Sequence, residues 1–127
     1  SGLAIAQTAT TAVHSVSYPI TEHFGVPHGH ACALTLAEFI RFNEPSMRDE
    51  RYESLWSALG VPSAKAAAEF VETLKGDIGL ERRLSKLGID RAGVQAVLEN
   101  GFRPDRVKNN PRELTPQALN TMLMRIL

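Results

Sequence analysis

The chain has 127 residues, enough for one domain of ordinary size with a packed core. Its 43% hydrophobic and 22% charged residues are typical of a globular protein, and 14 basic residues balance 14 acidic ones. That balance gives no electrostatic case for nucleic acid or an anionic membrane as partner. No stretch reaches the roughly 18 apolar residues of a membrane-spanning helix, and no signal peptide is visible, so the expectation is a cytoplasmic protein. The single cysteine, Cys32, excludes a disulfide within the chain. It lies in the apolar run HACALTLAEFI and reads as a buried, reduced thiol.

Period-two strand patterns are nearly absent and helical ones recur, so the expected class is all-α with six or seven helices. The first segment, from Ser1 to Tyr18, carries Leu3, Ala6, Ala9, Val13 and Val16 among small residues and reads as a helix buried on most sides. An N-terminus this apolar suggests a fragment cut from a longer protein just before a buried helix. Pro19 and the loop ITEHFGVP are expected to end that helix. A second helix opens at Pro27–His28–Gly29 and runs to about Phe42, and these two form the centre of the domain.

An amphipathic outer layer follows. Tyr52, Leu55, Trp56 and Leu59 fall on one helix face, with Gly60 as the stop. Ser63 caps a helix whose apolar positions are Ala67, Phe70, Val71, Leu74 and Ile78. A short helix over Glu81 to Leu87 is closed by Gly88, and Asp90 caps another with Val94, Val97 and Leu98 inward. Thr115 and Pro116 open the last helix, with Leu119, Met122, Leu123 and Ile126 on its apolar face.

The chemistry is concentrated in His14, His28 and His30, with His23 between them. Neutral imidazoles suit a divalent transition metal. His14 and His28 belong to different elements, the end of one helix and the start of the next. Ligation would explain a histidine in a segment almost free of ionisable groups, since a buried imidazole without a partner is costly. A core histidine bonded to a backbone carbonyl is the alternative. A catalytic metal takes at least three protein ligands. No third one is evident, because Asp49, Glu50, Asp77 and Asp90 read as surface or cap residues. That deficit fits a fragment.

The stretch GLAIAQTATTAVHSVSYPITEHFGVPHGHACALTLAEFIRFN resembles the signature region of the iron-containing alcohol dehydrogenases. In that family a histidine ending a buried helix precedes the histidine of a PHG turn by fourteen residues, as His14 in VHS precedes His28 in PHG. A helix ending in an FN-like pair follows, here Phe42–Asn43. The tail NNPRELTPQALNTMLMRIL resembles the family's C-terminus. The likeness is specific over residues 2–43 and loose between Pro45 and Lys108.

The resemblance implies the C-terminal helical domain of the dehydroquinate synthase-like fold. An N-terminal domain outside this chain would bind NAD or NADP. It implies Fe(II) or Zn held by an aspartate and three histidines, of which His14 and His28 match the last two. The implied reaction is hydride transfer between NAD(P)H and a small aldehyde or alcohol in a homo-oligomeric enzyme of two-domain subunits, and the isolated fragment should be inactive. Many members carry a histidine four residues after the first of these ligands. Here Tyr18 stands at that place, and residues four apart share a helix face, so Tyr18 is the catalytic candidate. The SYP and HGHA variants resemble a subgroup that includes reductases of phosphonoacetaldehyde and similar small anionic aldehydes. His30 would be the residue to face such a substrate, unless it is a surface or supporting histidine; His23 is expected to be exposed. A glycerol-dehydrogenase-like or dehydroquinate-synthase-like zinc enzyme, and a non-catalytic helical binding module, are the competing readings. The separation of the two imidazoles decides against or for the last.

Overall fold

A computed structural model describes residues 2–127, and among them the chain is all-helical. In chain order the helices are α1 (Gly2–Gln7), α2 (Ala12–Phe24), α3 (His28–Asn43), α4 (Glu50–Ala58), α5 (Ala64–Asp77), α6 (Arg91–Gly101), α7 (Pro104–Val107) and α8 (Pro116–Arg125). Two 3-10 turns, Glu44–Ser46 and Leu84–Leu87, join them. No helix among the described residues is long and apolar enough to cross a membrane.

The first element departs from expectation. Ser1 lies outside the described residues, and from Gly2 on the helix stops at Gln7. Thr11 then takes an extended conformation before α2 begins. The β-branched residues Thr8, Thr10 and Thr11 favour such a break. The Thr10 hydroxyl and carbonyl are held from outside, by Arg106 Nη1 at 3.1 Å and Asn109 Nδ2 at 3.4 Å. Burial differs too: Leu3 is 89% exposed, and among the residues whose burial is described the first buried one is Ala12.

Pro19 does not end α2 but sits inside it, and the helix continues to Phe24, where Gly25 closes it at φ +68°. An interior proline costs about 3 kcal/mol through the lost hydrogen bond and the clash with the preceding turn. The burial of Val16 and Ile20 on either side, both fully enclosed, offsets that cost. Gly101 at the end of α6 makes the fit possible. A Cβ there would come within 3.3 Å of both the Pro19 ring and the Val16 backbone.

α2 and α3 form the centre as expected, with α5 against α3, and α6 against α2 and α8. Ala12, Val16 and Ile20 make one stripe of α2; with Leu34 and Phe39 of α3, Val94 and Val97 of α6, and Leu119 and Leu123 of α8 they fill the core. Capping follows the sequence: the side chains of Ser63, Asp90 and Thr115 accept from the backbone of Ala66, Gly93 and Ala118. The expected 81–87 helix is reduced to the 3-10 turn closed by Gly88.

On α5 the buried residues are Ala64, Ala67, Ala68 and Lys75, and on α4 only Trp56. Leu55, Leu59, Phe70, Leu74 and Ile78 are exposed rather than inward. Small residues let α5 approach α3 closely, and that contact selects the alanine stripe over the neighbouring bulky one. Lys75 is buried because its ammonium pairs with Glu72 at 2.8 Å. The two short motifs at the domain's far end meet each other. Asn43 and Asn110 exchange side-chain hydrogen bonds at 3.2 and 2.7 Å, and Arg112 donates to the Phe42 carbonyl. The Phe42–Asn43 pair and the Asn110–Arg112 segment thus pin the end of α3 to the approach of α8.

Candidate metal centre

While Ala12, Val16 and Ile20 point inward, His14, Ser17 and Tyr18 fall at i, i+3 and i+4 on another face of α2. His28 and Cys32 share one face at the start of α3, again four apart. The three-residue connection Gly25–Pro27 turns the chain so that these two faces meet.

The His14 and His28 rings lie edge to face with centroids 5.3 Å apart, and the Tyr18 ring stacks on His28 at 5.6 Å. The two imidazoles therefore share one face of the domain, which excludes the arrangement expected of a non-catalytic module with its histidines apart. Cys32 is half-buried rather than a core thiol, because its sulfur turns to His28, 3.8 Å from Nε2. One donor atom each from His14, His28 and Cys32 all lie within 4.8 Å of one another. A tetrahedral ion with bonds of about 2.0–2.3 Å holds its donors roughly 3.3–3.8 Å apart. Small side-chain rotations would bring this set onto one ion, and imidazole with thiolate is chemistry suited to Zn or Fe.

Ser17 orders the pair. Its single hydroxyl proton goes to the His14 carbonyl at 2.8 Å, so in the 3.4 Å contact with His28 Nδ1 the imidazole is the donor. A proton on Nδ1 leaves the Nε2 lone pair as the ligand, facing the side where Cys32 lies. His14 is held below the ordinary histidine pKa of 6.5, first by partial burial, then by the nearby His28 and Arg106 charges. Each cause favours the neutral imidazole a metal needs.

This has a testable sign. With its folded pKa lowered, His14 contributes stability that is present above the unfolded value near 6.5 and is lost as pH falls through the folded value. In the metal-free protein its proton NMR titration is expected to have a midpoint below 6.5, moving partway back in His28→Gln. A midpoint at or above 6.5 would contradict the arrangement.

Tyr18 is tied to a residue that carried no signal in the sequence. Arg106 of α7 donates from Nη1 to the Tyr18 oxygen at 2.7 Å, with its Cζ 4.7 Å from the centre of the ring. His30 does not face this site: its Nε2 meets the Glu81 carbonyl at 2.7 Å and ties α3 to the segment before the second 3-10 turn. His23 is exposed as expected, on the last turn of α2 rather than in a loop. Ser17, Cys32 and Arg106 are the site residues that sequence reasoning missed. The first two sit three and four residues from the histidines, a spacing that could have flagged them.

The family model described as the Fe-containing alcohol dehydrogenase family, C-terminal, matches residues 1–127. A phosphonoacetaldehyde reductase of Streptomyces viridochromogenes is 32% identical, over 97% of this chain and 33% of its own length. The crystal structure of sulfoacetaldehyde reductase from Bifidobacterium kashiwanohense in complex with NAD+ superposes with a TM-score of 0.81 at 32% identity, over 92% of this chain and 31% of that one. An alcohol dehydrogenase from Oenococcus oeni has the same fold, with a TM-score of 0.83 at 22% identity over 99% of this chain and 35% of that one. The chain thus spans about a third of the length of each of these three proteins.

Proposed function

This chain belongs to the Fe-containing alcohol dehydrogenase family, and from that premise we propose that it is the metal-binding helical domain of an NAD(P)-dependent aldehyde reductase. The observation that carries the proposal is the His14–His28 pair, with ring centroids 5.3 Å apart, each in the first turn of its helix, so that His14 opens α2 rather than ending a helix as expected. These two would hold Fe(II) or Zn together with an aspartate and a histidine from outside the 127 residues, and NAD or NADP would sit mainly on an N-terminal domain. The metal, when bound, would supply Lewis-acid polarisation of the substrate oxygen.

The residues of this chain do the rest. His14 and His28 would hold the ion, Ser17 keeps the His28 tautomer, and Tyr18 holds a phenolic proton beside the imidazole. Its oxygen already accepts from Arg106, so its own hydrogen is free to be given to a substrate oxygen or to solvent. The two relatives that are 32% identical are, by name, reductases of phosphonoacetaldehyde and sulfoacetaldehyde. The substrate proposed here is accordingly a short aldehyde bearing an anionic group.

Loss of absorbance of the reduced nicotinamide tests this in the full-length protein. Chelator treatment is expected to abolish aldehyde reduction, and added Fe(II) or Zn to restore it, while the 127-residue domain alone stays inactive. Turnover undiminished after complete metal removal would reject the metal-dependent mechanism.

A further inference from the structure

We infer that Arg106 binds the anionic headgroup of the aldehyde and so selects that substrate class, an inference that rests on the reductase reading above. The guanidinium is held in place but incompletely used. Nη1 spends its two hydrogens on the Tyr18 oxygen at 2.7 Å and the Thr10 hydroxyl at 3.1 Å. Among the described residues neither Nη2 nor Nε makes a hydrogen bond. The one carboxylate close by, Asp105, lies 4.0 Å from Nε, and its side chain is 72% exposed. At that distance and exposure its charge is screened by water and leaves the cation largely unneutralised. The side chain of Arg106 is itself only 29% exposed.

A half-buried guanidinium with two anchored hydrogens and an open Nε–Nη2 edge is preorganised for bidentate contact with a tetrahedral oxyanion. Its position relative to the histidines sets the length of the ligand. Arg106 packs on the Tyr18 ring, and Tyr18 stacks on His28. One aromatic ring therefore separates the cation from the metal ligands. A molecule of a few carbons can place its carbonyl oxygen at the histidine pair and its oxyanion on the guanidinium. His30, turned away to Glu81, has no part in this. The alternative is a purely structural Arg106 that ties Thr10 and α7 to α2.

The test uses the full-length, metal-loaded enzyme with phosphonoacetaldehyde, sulfoacetaldehyde and neutral propionaldehyde. In Arg106→Met, which keeps the stem over Tyr18, kcat/KM for both anionic aldehydes is expected to fall at least about 30-fold further than for propionaldehyde, mainly through KM. Arg106→Lys should recover part of the difference. Calorimetric binding of inorganic sulfate should be measurable in the wild type and lost in Arg106→Met, a readout independent of turnover. Equal losses for all three aldehydes, or unchanged sulfate binding, would overturn the role of Arg106 and leave the reductase reading standing. A wild-type enzyme that favours propionaldehyde over both anions would overturn the substrate class itself, and the role of Arg106 with it.

Discussion

Replacing His28 with alanine in the full-length protein is expected to release the bound metal and to lower aldehyde reduction by about three orders of magnitude or more. Lewis-acid polarisation contributes several kcal/mol to a transition state, and each 1.4 kcal/mol is roughly a factor of ten. His28 has no substitute within reach. Cys32 Sγ lies 3.8 Å from its Nε2, but it would be left with His14 alone from this chain. His14→Ala should behave alike, because one donor atom of its ring lies within 4.8 Å of one on His28. His30→Ala is the matched control: its imidazole is bonded to the Glu81 carbonyl, so metal content should stay near the wild-type value. Metal analysis of the purified variants decides this before any assay. A His28→Ala protein with full metal occupancy would remove His28 from the site.

Caps, stops and the buried stripes of α6 and α8 were legible in the sequence because they depend on a few adjacent residues. Ser63, Asp90 and Thr115 each cap the helix that their spacing announces. Gly60 and Gly88 both adopt the left-handed conformation that ends an element. Pro19 misled because its local cost is real. The compensation lies more than eighty residues away, where Gly101 accepts the proline ring and Ser15 donates to the Gly101 carbonyl at 2.5 Å. No window of a few residues contains both partners.

The exposed stripe Phe70, Leu74, Ile78 misled for a related reason. α5 carries two adjacent stripes, one bulky and one of alanines, and periodicity cannot say which one α3 will cover. The candidate site divides the same way. The His14 and His28 frame is local and recognisable, and Ser17 and Cys32 follow from helix spacing. Arg106 reaches Tyr18 from a four-residue helix eighty-eight positions later, an encounter that only the folded chain creates.

The largest expected effect on stability is that of Phe39→Ala. Phe39 is 1% exposed in the middle of the core, and truncating a buried phenylalanine costs about 3–5 kcal/mol in lost transfer energy and residual cavity. A domain of this size is stable by about 5–15 kcal/mol in all, so the variant should lose a large share of its stability. Leu55→Ala, at a side chain 45% exposed, should stay within about 0.5 kcal/mol of the wild type.

The same measurement shows whether the core and the histidine pair are energetically separate. His28 opens the helix in which Phe39 lies eleven residues further on, roughly 16 Å along the axis at 1.5 Å per residue. An ion that binds only the folded state adds an increment set by its concentration relative to Kd. Urea denaturation of the domain with and without excess zinc should therefore raise the stability of wild type and Phe39→Ala by the same amount. A smaller increment in the variant would mean that the core at Phe39 helps hold His28 against His14, and that the fold supports the site through packing as well as through Ser17.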